Sequence, residues 1–435
     1  MPKRGPRGRR EDALLKRAHA LLPAGVRNAS SNPDYAMVVS RARGSRIWDC
    51  SGNEYVDYLL GSGPMFLGHA HPAVVSAVRE ALEDGSNYLM VNEPSIELAE
   101  QIVAAIPCAE KVSFNTSGSE STFFAMRLAR AFRKRDKILK FEGAFHGMGD
   151  YTLMSNEWTF RPADFPKPVP NSAGIPACIE QQVLIAPFND VETTAAIIDR
   201  YHSELAGVIV EPMQRTIPPV EGFLESLREL TRRYEIPLIF DEIVTGFRLA
   251  YGGAQEYYAV VPDLCTVGKS MSGGHPISLI CGREDIMSLV DPTRALSGDH
   301  VLQTGTFSGN PISAVAALAA LGELRKPGVY EELFAKGLRL KTALDEMLRA
   351  AGIPARVTGE PPAFEVWFTD GEIRDHRSTL AVDREKHARF TELLLDRGIV
   401  KAHEKFFVSM AHSEEDIELT LAAFESAVAA LAARE

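Results

Sequence analysis

The sequence predicts an α/β fold, with a large domain built on a mostly parallel sheet and a smaller α+β domain. Three observations lead there. Short apolar runs alternate with helix-patterned runs at 111–114, 120–133, 137–141, 205–210, 222–234, 236–240 and 263–267, as strands joined by helical crossovers do. The apolar runs are continuous rather than alternating, which suits strands buried on both faces. Finally, Asp241 follows the run Pro237–Phe240 and Lys269 follows Asp263–Val267. Open α/β sheets bind ligands beyond the carboxyl ends of their strands, so both polar side chains would emerge into that crevice.

From the N-terminus, residues 11–22 have helical spacing and end at Pro23-Ala-Gly25. Strand-like pieces follow at Met37–Ser40 and Ser45–Asp49, with a turn at Ser51–Glu54. Helices are expected at 71–84 and 94–105, ahead of the alternating region. Five prolines between Arg161 and Pro176 predict an irregular loop over 152–186. A helix from Pro311 to Lys326 leads out of the large domain. Beyond it, 328–352, 383–397 and 413–433 read as helices, and 362–368 and 405–410 as strands. With 435 residues the chain exceeds the size of one hydrophobic core. The expected division is 1–60 and 326–435 as the small domain, formed from both chain ends, and 61–325 as the large one.

Composition excludes several classes of function. A net charge of −11 argues against general nucleic-acid binding, which needs Lys and Arg in excess. Only the tail MPKRGPRGRR is basic, and its Gly and Pro content suits a solvated terminus. Five cysteines, Cys50, Cys108, Cys178, Cys265 and Cys281, form no CxxC pair, so neither a disulfide framework nor a zinc site is expected. No apolar run reaches the roughly 20 residues of a membrane helix, and no signal-peptide core opens the chain. A cytoplasmic protein without membrane or metal partners is expected.

The segment Asn115-Thr-Ser-Gly-Ser-Glu-Ser121 joins an apolar run to a helix. Small hydroxyls, a glycine and the N–H groups of a helix start make a phosphate cup, although an ordinary capped helix would read the same way. Neither GxxxxGK[ST] nor GxSxG is present, against a nucleotide-binding P-loop and a serine-hydrolase elbow. An acid and a lysine at adjacent strand ends, near such a cup, are what pyridoxal phosphate requires: a ring-nitrogen partner and a Schiff-base amine.

Together with Phe145-His-Gly147, Glu211-Pro212, Asp241–Arg248 and Gly305-Thr-Phe-Ser-Gly-Asn310, these residues resemble the class III aminotransferases. The likeness runs from about Leu21 to the C-terminal end and is strongest to the glutamate-1-semialdehyde aminomutase branch. It implies fold type I, pyridoxal 5'-phosphate, and a homodimer whose subunits share the active site. It implies Lys269 as the Schiff-base lysine and proton carrier, and Asp241 as the partner of the pyridine nitrogen. Ser117, Gly118 and Ser119 would hold the phosphate, joined by Thr306 of the neighbouring subunit. Phe145, where the family more often has tyrosine, would stack on one ring face and Ile243 on the other. Glu211 matches a family glutamate near the cofactor, and a structural carboxylate fits it equally. His146 reads as a hydrogen-bonded structural histidine. Arg215, where many relatives carry glycine, suits either a substrate carboxylate or a salt bridge.

The chain also departs from that branch. Ser62 stands where the aminomutases have a tryptophan, and Ser31 near their substrate-binding arginine, with Arg27 close by instead. Glu404 matches a lid glutamate only across a shorter loop. The missing indole opens space, so the expectation is an aminotransferase that takes an amine or amino-acid donor and a keto-acid acceptor. An aminomutase or racemase is the alternative. Arg27, Ser62, Arg215 and Glu404 are the candidate substrate contacts.

Overall fold

The computed structural model describes residues 4–23, 32–403 and 405–433. These form two compact units. One takes the described residues of Met1–Pro72, Lys326–Ile373 and Ala381–Glu435; the other takes Ala73–Arg325 and Arg374–Leu380. Residues 61–72 and 374–380 thus fall on the other side of the divisions expected from sequence.

The smaller unit begins with α1 (Arg9–Leu21), β1 (Val39–Arg43), β2 (Arg46–Asp49) and β3 (Glu54–Tyr58). The strand β3 occupies what reads in sequence as the exit of a turn. Its buried Tyr55 joins Met37, Ile47, Leu395 and Val400 in an apolar cluster.

The larger unit contains α2 (Pro72–Ala81, whose first residue belongs to the smaller unit), α3 (Glu93–Ala105), β4 (Lys111–Asn115), α4 (Gly118–Arg133) and β5 (Lys137–Phe141). It continues through α5 (Ala177–Glu180), β6 (Val183–Ala186), α6 (Val191–Tyr201), β7 (Leu205–Val210), α7 (Phe223–Arg233) and β8 (Leu238–Glu242). After α8 (Gly253–Tyr257) come β9 (Leu264–Val267), β10 (Ser278–Gly282), α9 (Glu284–Met287) and α10 (Pro311–Leu324). Its seven strands are ordered β4-β10-β9-β8-β7-β5-β6. Only β10 runs against the others, antiparallel to β4 and β9. All six residues of β7 are buried, as its unbroken apolar run requires. From α4, Ala125, Met126, Leu128 and Ala129 pack on Ile138, Ile209, Ile239, Leu264 and Ile280 of five strands. Burial of this kind contributes about 25 cal/mol per Å² of apolar surface.

Two strands of the larger unit are not expected from the sequence. The region 152–186 contains α5 and β6 at its end, where the four apolar residues Val183–Ala186 pair with β5. Its proline-rich part runs through turns, as expected. The strand β10, also short, takes its identity from its two neighbours.

The smaller unit is completed by α11 (Val329–Ala350), β11 (Arg356–Glu360), β12 (Ala363–Trp367), α12 (Arg384–Leu395), β13 (Ile399–Lys401), β14 (Phe406–Phe407) and α13 (Glu414–Ala432). Its sheets are β1-β2-β3-β13 and β11-β12-β14. In α13, Ser413 and Asp416 cap each other's backbone N–H groups, which explains its sharp start.

At Gly337, α11 meets the turn between β11 and β12 so closely that a Cβ would lie 2.0 Å from the carbonyl oxygen of Pro361. Gly337→Ala is expected to lower stability by ~1–3 kcal/mol through overpacking. Denaturant unfolding checks this, and an unchanged midpoint would refute the close approach.

Candidate active site

The strands β4, β5, β7, β8 and β9 share one direction, so their carboxyl ends reach one edge of the sheet. Onto that edge the chain delivers Ser117–Ser119 after β4, Phe145 and His146 after β5, and Glu211 after β7. Asp241 lies near the end of β8, and Lys269 follows β9.

Asp241 is buried, and both carboxylate oxygens are held. His146 Nδ1 donates to Oδ2 at 2.7 Å. Thr266 Oγ1 donates to Oδ1 at 3.0 Å, and the Ile243 N–H donates to the same oxygen at 3.2 Å. His146 is in turn fixed by Thr122, whose hydroxyl donates to the His146 carbonyl at 2.6 Å. The carboxylate is therefore oriented by the chain's own donors.

Lys269 is half-buried and has φ = 36°, in the left-handed region that non-glycine residues rarely adopt. Its amine pKa is lowered to about 8, chiefly by loss of water and next by the positive charge of Arg215, while Asp241 and Glu211 pull the other way. An amine so placed supplies its neutral, nucleophilic form near neutral pH.

The helix α4 starts in a reciprocal cap: the Ser117 hydroxyl accepts from Glu120 N–H, and Glu120 Oε2 accepts from the N–H groups of Thr116 and Ser117 at 2.8 and 2.9 Å. The N–H groups of Gly118 and Ser119 belong to the first turn and have no acceptor within the helix. They are the donors an anion could take. The Phe145-His-Gly147 turn rests on this start. A Cβ on Gly147 (φ = 91°) would lie 2.5 Å from Ser119 Oγ, and that hydroxyl accepts from Met148 N–H at 3.2 Å. Ile243 touches both flanks of the site: a Cβ on Gly118 or on Gly268 would come within 3.1 or 3.2 Å of its side chain.

Glu211 joins two loops, accepting from Phe145 N–H at 2.7 Å and Arg215 N–H at 3.1 Å. Phe145 is half-buried, with Trp158 edge-on at 5.8 Å. The Arg215 guanidinium lies 5.8 Å from the Phe145 ring centre and forms an ion pair with Glu157. Thr306 is exposed, its carbonyl accepting from Asn87 at 3.0 Å. Ser62 is an exposed turn residue of the smaller unit, with φ = 71°. Arg27, Ser31 and Glu404 lie outside the described residues.

Sequence reasoning missed Thr266, Thr122 and Glu157. The first lies inside an apolar run, and the others act through folds of the chain that no local pattern announces. The chemistry of the donor set suits pyridoxal phosphate: a fixed carboxylate, a lysine of depressed pKa, and two helix-start N–H groups. Ser270 Oγ and His146 Nε2 are buried with no hydrogen-bond partner among the described residues, as groups awaiting a ligand would be. No group of His, Cys, Asp and Glu suited to a metal occurs among the described residues.

Comparison with known proteins agrees. The sequence profile of the family described as Aminotransferase class-III matches residues 28–428. A glutamate-1-semialdehyde 2,1-aminomutase from Desulforamulus reducens is 39% identical, covering 98% of this chain and 99% of its own. An omega-transaminase from Sphaerobacter thermophilus superposes with a TM-score of 0.91 at 33% identity, over 97% of each chain. A solved transaminase with PLP bound superposes with a TM-score of 0.88 at 27% identity, covering 97% of this chain and 98% of its own. Fold and site together define a pyridoxal-phosphate enzyme of fold type I. The chain belongs to the class III aminotransferase family, and its cofactor is pyridoxal 5'-phosphate.

With the Lys269 amine titrating at about 8, cofactor uptake by the apoenzyme should quicken as pH rises through that value and level off above it. Arg215→Gln removes a positive charge, so the inflection should move up. Stopped-flow absorbance checks both, and a rate still climbing near pH 10 in the parent would refute the depressed amine.

Proposed function

We propose that this enzyme moves an amino group between carbons of one small substrate, in the manner of a glutamate-1-semialdehyde aminomutase. The observation that carries amino-group chemistry is the convergence of Lys269 and the thrice-held Asp241 at one sheet edge. The 39% identical aminomutase, matched over nearly its whole length, favours migration within one molecule. That reverses the preference drawn from Ser62 and Ser31. Transfer between two molecules is the second reading, favoured by the exposed Ser62 and by the 33% identical transaminase.

Pyridoxal phosphate, when bound, supplies an aldehyde for amines and a ring that draws electrons from the substrate carbon. In this reading Lys269 Nζ would anchor the cofactor and then, as a free amine, would take a proton from the substrate carbon that loses nitrogen and deliver one to the carbon that gains it. The carbonyl oxygen and amino group change places, so that substrate and product are isomers. Asp241 would keep the ring nitrogen protonated, and its three donors hold its oxygens aligned for that task. Gly118 and Ser119 N–H groups, with the Ser117 and Ser119 hydroxyls, would receive the phosphate. Phe145 and Ile243 would flank the ring, and Glu211 fixes the Phe145 backbone. A cytoplasmic location fits the five free cysteines.

Glutamate-1-semialdehyde labelled with ¹⁵N at C2 should give the isomer labelled at C1, without consumption of added pyruvate or 2-oxoglutarate. Amino transfer that requires a keto acid, with no isomer from the semialdehyde, would establish the second reading instead.

A homodimer with shared sites is part of the same proposal, with Thr306 serving the partner's phosphate. Support comes from the exposed apolar residues Leu89, Met90, Val91, Leu302 and Phe307 of the larger unit, a composition typical of buried interfaces. Lys269→Ala and Thr306→Ala chains should each be impaired alone. Their mixture should regain activity, because each mixed dimer then holds one intact site. If subunits exchange and no activity returns, Thr306 does not serve the partner.

A further inference from the structure

Arg215 is one of the two cations, with Arg27, that the sequence offers for a substrate carboxylate, yet it already has an anionic partner. Its guanidinium is paired with the Glu157 carboxylate, and the two side chains are only 20% and 12% exposed. The pair lies at the candidate site: Arg215 stands against Phe145, and Trp158, next to Glu157, meets the same ring.

Both partners are held from behind. The loop carrying Glu157 is pinned by Asn171, whose Oδ1 accepts from Asn156 N–H at 2.8 Å, and by Ser155, whose hydroxyl accepts from Val169 N–H at 2.9 Å. His376 Nε2 lies 2.8 Å from the carbonyl of Thr159 and donates to it. On the other side, Arg215 has φ = 59° and donates its N–H to Glu211, while Gln214 donates to the carbonyl of Glu142 at 2.8 Å. Neither loop is placed to swing its charge away at small cost. Withdrawing one member of such a pair leaves a poorly solvated charge behind, so an incoming carboxylate must displace Glu157 at a loss.

We propose that Glu157 is a specificity-determining residue: its carboxylate masks Arg215 and closes this side of the site to a substrate carboxylate, leaving a wall suited to an uncharged group. This rests on the pyridoxal-phosphate amino-group reading for what the site binds, but the masking itself is a property of the chain. Any substrate carboxylate is then recognised elsewhere, and Arg215 supplies only its charge to the surroundings of Lys269.

The test is a double-mutant cycle read by calorimetry with propionate, a carboxylate that lacks an amino group. It uses the holoenzyme of the parent, Glu157→Gln, Arg215→Gln and the double variant. Glu157→Gln keeps the shape of the side chain and removes the carboxylate paired with Arg215, so propionate should bind about tenfold tighter or more, as charge-assisted pairing implies. Arg215→Gln alone should alter propionate affinity less than about twofold, and the double variant should return to the parent's value. Under the second reading, in which amines serve as donors, the ratio of kcat/KM for a carboxylate-bearing donor to that for its decarboxylated amine should also rise in Glu157→Gln and nowhere else. Thermal melting identifies any variant that fails to fold, and Arg215→Lys then replaces Arg215→Gln in the cycle. No gain in Glu157→Gln would overturn the masking. A loss of about fivefold or more in Arg215→Gln would overturn it too, since Arg215 would already be receiving carboxylates. Cofactor absorbance is followed in every sample: a parent that takes up no pyridoxal phosphate defeats the proposed function, while the propionate cycle, repeated on apoprotein, still decides the masking.

Discussion

The shared direction of five strands is the constraint on which the site depends. Because β4, β5, β7, β8 and β9 all point the same way, loops after strand ends as far apart as Asn115 and Val267 open at one edge. Reversing any of them would carry its residues to the opposite edge of the sheet. The single antiparallel strand, β10, contributes no candidate residue at its carboxyl end. Its start at Ser278 meets Ser121 of α4 through paired hydroxyls 2.8 Å apart, which ties the helix start to the sheet.

Much of this was legible because the chemistry sits at the ends of apolar runs. Asp241 and Lys269 terminate segments whose strand character is obvious from composition, and Ser117–Ser119 follow another. What was not legible arises from contacts distant in sequence. Thr266 is a polar residue inside Leu264–Val267, and only the parallel pairing of β8 with β9 sets it opposite Asp241. Glu157 sits in a stretch that reads as structureless loop. The strands β6 and β10 were missed because four or five residues carry little periodic signal, and their neighbours decide their conformation.

Charge around the site is distributed rather than concentrated. Lys269 and Arg215 are two positive groups whose fields reach each other, and Asp241, Glu211 and Glu157 answer them. Among the described residues each acid is engaged differently: Asp241 accepts from neutral donors and a histidine, Glu211 from two backbone N–H groups, and Glu157 from the guanidinium. The result is a lysine amine that can be neutral without a dedicated base beside it.

The close fit of Gly147 against Ser119 has a consequence for ligand selection. Since no atom can be inserted there, the turn bearing Phe145 and the start of α4 behave as one piece, and that piece is tied to the sheet edge bearing Asp241 through His146. The backbone thereby acts as a gauge with two fixed jaws, an acid at one and paired N–H donors at the other. On the proposed assignment of these groups, a ligand would be sized by whether it spans them. A pyridine vitamer without its phosphate would engage one jaw alone, and discrimination against it would need no further side chain.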